Sequence, residues 1–127
     1  MTHAQRRSAR LTLFLLLLAA LPARADTWWG PDKALHLGVS IGLAAGATAV
    51  TAAWIEDPLE RAAIGVVSSL TLGVAKELVD GLGLGAASFR DLTWDLIGSV
   101  IGASLVWVVE RWIVAPLLES IAPRFAG

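Results

Sequence analysis

The stretch DKALHLGVSIGLAAGATAVTAAW, residues 32–54, carries fixed charge only in its first turn and is otherwise apolar or small, and its reading decides the fold class. A helix rises about 1.5 Å per residue, so this run is long enough to cross a bilayer core of about 30 Å. It predicts a first membrane helix from Pro31 to Trp54. The composition agrees: of 127 residues 56% are hydrophobic and 17% charged, with a mean hydropathy of +0.67. That is too apolar for an ordinary soluble domain.

Upstream, residues 1–25 hold four of the ten basic residues and no acid, leaving six basic against eleven acidic residues in the rest. Arg6, Arg7 and Arg10 precede an apolar run from Leu11 to Leu21, and Pro22-Ala23-Arg24-Ala25 fits a small-residue cleavage site. This reads as a secretory signal peptide; the alternative, a retained anchor, is short of the ~20 apolar residues a span needs. Export implies a bacterial envelope protein whose chain emerges at Asp26 on the periplasmic side of the inner membrane. With the leader set aside, no Lys/Arg stripe is left for nucleic acid. The absence of Cys excludes disulfides, thiol chemistry, thiolate zinc sites and lipidation on cysteine.

Downstream, Asp57-Pro58-Leu59-Glu60 has the chemistry of a helix start, with Asp57 as cap, Pro58 first and Glu60 third. The second helix is expected from Pro58 to Asp80, ended by Gly81 in a glycine-rich stretch. Ser88-Phe89-Arg90-Asp91 caps a third, running to Val109 or as far as Ile113. Pro116 and Pro123 are expected to break the tail into a short interfacial segment. The fold class is therefore all-α: a signal peptide over residues 1–25, then a single three-helix membrane domain over 26–127.

Small residues recur four apart in every helix: Gly38, Gly42 and Gly46; Gly65, Ser69 and Gly73; Gly98 and Gly102. Such stripes let membrane helices approach closely. The Gly38/Gly42/Gly46 face is also a candidate for homo-oligomerisation. A tightly packed soluble hairpin bundle is the competing reading. Tryptophans favour the membrane, with Trp28, Trp29 and Trp94 at one expected end and Trp54 and Trp112 at the other.

Three helices with short connections alternate in direction, so the start of the first, the end of the second and the start of the third share a side. There the ionisable residues gather: Asp32, Lys33 and His36; Lys76, Glu77 and Asp80; Asp91 and Asp95. Asp91, Asp95, Gly98 and Gly102 fall within about 60° of one another around a helix. Gly73, Glu77 and Asp80 group likewise. Carboxylates on a close-packing stripe should point between helices, since a charge facing lipid costs ~2.5 kcal/mol or more. Asp32 and Asp91 also suit simple roles at helix starts, and Lys76 can pair with Asp80. His36, Glu77 and Asp95 are the candidates for shared acid/base work. One imidazole with up to four carboxylates, His36, Glu77, Asp80, Asp91 and Asp95, is also a plausible divalent-metal set. Ion pairs with Lys33 and Lys76 that merely lock the helices are the third possibility. No H-E-x-x-H, Walker or G-x-S-x-G motif selects a reaction.

In order, DKALHLGVS (Asp32 to Ser40), GVAKELVD (Gly73 to Asp80) and SFRDLTWDLIGSVIG (Ser88 to Gly102) resemble the YfiM-type family of small bacterial envelope proteins. The layout is more distantly similar to VanZ-like membrane proteins. The resemblance implies that Asp32, Lys33, His36, Lys76, Glu77, Asp80, Ser88, Asp91, Asp95 and Gly98 form one site, without implying a particular reaction. Many YfiM-type members look like lipoproteins; no Cys follows the leader segment here. Two functions are expected from these residues. One is an accessory envelope component that binds lipid or a protein partner through the polar cluster. The other is a membrane-embedded, metal-dependent hydrolase or transferase acting on an envelope or lipid-linked substrate.

Overall fold

The structure is a computed structural model that describes residues 26–122. The expected signal peptide, Pro123 and Arg124 lie outside the described residues. Every regular element among the described residues is helical.

Helix α1, Pro31–Thr51, starts on a proline, with Asp32 in the first turn where the helix N-terminus favours an acid. It ends three residues before the expected Trp54. Residues 52–54 tighten into turns in which each N–H reaches the carbonyl three residues back. Helix α2, Pro58–Val79, is capped by Asp57, whose carboxylate accepts from the N–H groups of Leu59 at 2.7 Å and Glu60 at 3.3 Å. Gly81 does not stop it. The chain continues through a wide π turn, Asp80–Leu84, and leaves the helix at Gly83, whose φ of 101° is a conformation that favours glycine.

Helix α3, Phe89–Val109, is capped by Ser88, whose hydroxyl accepts from Asp91 N–H at 3.2 Å. Pro116 does not break the helix as expected. A second π turn, Glu110–Val114, carries α3 into α4, Ala115–Ile121, so the rod is continuous over 33 residues. Pro116 lacks an N–H and its ring would crowd a carbonyl one α-turn back. The wider turn just before it, closed by Ala115 N–H on the Glu110 carbonyl, meets the proline with a realigned backbone.

The helices pack as an antiparallel three-helix bundle in which α1 contacts both α2 and α3. Its contact stripe is not the expected Gly38/Gly42/Gly46. A methyl group at any of those three would meet nothing within 4 Å. The opposite face, Ser40, Ala44 and Thr48, is buried instead. Close approach comes from the other helices. A Cβ at Gly98 would lie 2.5 Å from the Leu37 carbonyl oxygen, at Gly102 2.2 Å from that of Ile41, and at Gly65 2.7 Å from that of Ala44.

The interior is the polar side of this molecule. Ala44 and Ala103 are the buried hydrophobic residues, alongside buried Lys33, Ser40, Thr48, Arg61, Ser69, Glu77, Asp91, Asp95 and Ser99. Leucines, valines and tryptophans along all three helices face outward. A soluble bundle places these groups the other way round. Pro31–Thr51, Pro58–Leu84 and Phe89–Ile121 are each long and apolar enough to cross a membrane.

Candidate functional site

The start of α1, the end of α2 and the start of α3 meet at one end of the bundle. Lys33, 2% exposed, is the central cation. Its ammonium donates to Asp26 at 2.5 Å and to Asp91, and lies 3.0 Å from Asp32. Three residues on, one turn deeper, the His36 ring sits between two carboxylates of α3. Its Nδ1 is 3.0 Å from Asp95 Oδ1, and its Nε2 is 3.4 Å from Asp91 Oδ2. Ser40, a turn further, donates to the same Asp95 oxygen at 2.7 Å. The i, i+3 and i, i+4 spacings of α1 thus bring Lys33, His36 and Ser40 against Asp91 and Asp95, themselves four apart.

Glu77, 1% exposed, comes from α2. It accepts from the backbone N–H of Ser88 at 2.5 Å and from Lys76 at 3.2 Å. Glu77 therefore ties the end of α2 to the residue that caps α3. Ser88 in turn donates its hydroxyl to Asp26. Burial pushes the Asp26 carboxyl up, but hydrogen bonds from Lys33 and Ser88, with the charges of Lys33 and Arg90, outweigh it and hold the group below the usual carboxylate range.

Not every expected member joins. Asp80 turns away to pair with Lys76 at 2.6 Å. Asp32 touches Lys33 but is mostly exposed. His36, Glu77 and Asp91 each bring one ligand atom within 4.8 Å of the others, one from each helix. Asp95 backs His36. Its second oxygen, Oδ2, is buried without a hydrogen-bond partner and faces α2, where a Cβ at Gly73 would lie 2.6 Å away. Room for that carboxylate comes from the missing side chain of Gly73.

Three features escape the sequence reading. Asp26 is one; it precedes the helices and carries no periodic signal. A hydroxyl ladder continues below the cluster, with Ser69 Oγ 3.3 Å from the Ser40 carbonyl and Ser99 Oγ 2.8 Å from Ser69 Oγ. At the far end Arg61 of α2 pairs with Glu110. A signal for Arg61 existed, because 61, 65, 69, 73 and 77 form one four-residue stripe. An aromatic group borders the cluster: the Trp29 and Trp94 rings lie 4.7 Å apart, Trp94 donates to the Trp28 carbonyl at 2.9 Å, and Arg90 sits over the Trp28 ring.

An apolar exterior around a buried polar column defines an all-helical membrane protein with a charged cluster at one end of its bundle. No protein-family model, curated protein or solved structure matches the chain.

Proposed function

We propose that this is a small envelope protein of the bacterial inner membrane. In this reading its charged end faces the periplasm and serves as an accessory binding site for an envelope partner or a lipid headgroup. The observation that carries it is the junction of all three helices at a charged cluster bordered by Trp28, Trp29 and Trp94, the residue type that settles at membrane–water boundaries. The basic leader supports the orientation, and the resemblance to YfiM-type proteins supports the envelope.

The hydrolase or transferase reading is less well supported. A general base needs a free lone pair within reach of substrate. Glu77 already accepts from Ser88 and Lys76, Asp95 Oδ1 faces His36 and Ser40, and the unpartnered Asp95 Oδ2 faces Gly73 inside the bundle. All three candidate groups are shielded, with side-chain exposures of 11% for His36, 1% for Glu77 and 5% for Asp95.

Orientation is tested with single cysteines, since the chain has none of its own. A membrane-impermeant maleimide added outside spheroplasts should label Thr27→Cys and spare Glu56→Cys; the reverse pattern refutes the periplasmic assignment. Retention in the pellet after alkaline carbonate extraction is expected, and release would refute membrane integration.

A further inference from the structure

We propose that His36, Glu77 and Asp91 bind one divalent cation between the three helices, with Asp95 holding the His36 ring from behind. The inference rests on reading this cluster as the protein's binding site and names what it takes.

The three ligand atoms already lie within 4.8 Å of one another. Nitrogen and oxygen ligands held about 2.1 Å from a common ion can lie no more than about 4.2 Å apart. That limit is for two ligands in line; in a tetrahedral site they sit about 3.4 Å apart, so closing onto a cation asks for shifts of up to about 1.4 Å, within the reach of side-chain rotation. Asp95 supplies an independent observation. It is 3% exposed, and its Oδ2 has no partner although it lies in a low-dielectric interior, aimed at the face of α2 that carries Glu77 one turn on. A buried carboxylate left one donor short is costly, and a cation held on the other side of the His36 ring offsets its charge.

The ring of His36 is set for the same purpose. Donating Nδ1–H to Asp95 Oδ1 leaves the Nε2 lone pair directed at Asp91 Oδ2, 3.4 Å away. A cation bound there would take the place of the proton that an imidazolium holds between Nε2 and Asp91 Oδ2. A carboxylate that orients a histidine from behind is the usual partner of a metal-binding imidazole. Charge points the same way: Glu77, Asp91 and Asp95 are buried, while the one buried ammonium at this end, Lys33, is divided among Asp26, Asp32 and Asp91. An imidazole among carboxylates suits Zn2+ or Mn2+ better than Mg2+ or Ca2+. With Glu77 and Asp91 buried and His36 partly so, the ion acts as a staple joining α1, α2 and α3.

The test uses the full chain in mild detergent, stripped with EDTA and titrated with Zn2+ alone or Mn2+ alone. One ion per chain is expected, with a rise in Tm. Glu77→Gln and His36→Gln should each weaken binding tenfold or more, whereas Asp80→Asn, a carboxylate at the same end but outside the ligand set, should not. Substoichiometric metal, or equal loss in all three variants, overturns the proposal. Should a variant fail to fold, Mn2+ on the wild type still decides: nitrogen hyperfine coupling is expected from His36, and its absence overturns the site. A metal-free protein that still resists carbonate extraction would end the cation inference and leave the membrane reading standing.

Discussion

Arg61, near the start of α2, and Glu110, just past the end of α3, meet as a parallel fork, Nη1 2.8 Å from Oε1 and Nη2 2.7 Å from Oε2, at the opposite end of the bundle from His36. The pair closes the bundle where the hydroxyl ladder runs out, and Arg61 is only 9% exposed. Removing one member strands the other, which costs about 3–5 kcal/mol for a fully buried pair. Glu110 keeps partial exposure, so Arg61→Ala should cost about 2 kcal/mol. A double-mutant cycle with Glu110→Ala, read by denaturation in detergent, should show that the two losses do not add.

The glycines divide by what stands opposite them. Gly102→Ala would drive a methyl to 2.2 Å from the Ile41 carbonyl oxygen, part of the backbone of α1. A cost of about 1–3 kcal/mol is expected for such overpacking. Gly42→Ala meets nothing within 4 Å and should be neutral or stabilising by up to about 1 kcal/mol, the gain in helix propensity. Tm values of the two variants in the same detergent check the contrast.

Thr48 is buried, and its hydroxyl has no hydrogen-bond partner. Valine has the same shape without the polar atom. Thr48→Val should therefore hold or raise stability, by up to about 1 kcal/mol, and a clear loss in Tm would show that the hydroxyl has a partner in the bilayer.

Asp26 gives the cluster an acid limit. Its carboxyl is held below the ordinary value, so the ionised form favours the folded state. That contribution is fully present above the unfolded value of about 3.9 and is lost as pH falls through the lower folded value. The stability gap between wild type and Asp26→Asn should therefore be widest near neutrality and close as pH drops from about 5 towards 3, measured by thermal denaturation across that range.

Much of this arrangement is written locally. Pro31, Asp57-Pro58 and Ser88 mark three helix starts, because proline geometry and short side-chain caps act within a turn. The polar residues that meet, His36, Glu77, Asp91 and Asp95, are legible from spacing and alternation of direction. What escapes the sequence is choice between equivalents. On α1 the stripes 38/42/46 and 40/44/48 differ by two residues, about 200° around the axis, and both are small. Only the partner helices select Ser40, Ala44 and Thr48. The same holds for Gly81 and Gly83, either of which is able to end a helix, and for Pro116, which a π turn absorbs. Asp26 and Glu110 join the structure through distant partners, Lys33 and Arg61, that no local pattern names.

The polar interior also bears on how the chain is made. Separated in lipid, α1 would present Lys33, α2 Glu77 and α3 Asp95, at a cost of about 2.5–3.5 kcal/mol for each charge placed at the centre of a span. These groups lie nearer one end, which softens the penalty without removing it. Docking is what satisfies them. The three helices therefore gain most by associating as they enter the bilayer, and a truncated chain lacking α3 strips His36 of both its carboxylate partners and Lys33 of Asp91.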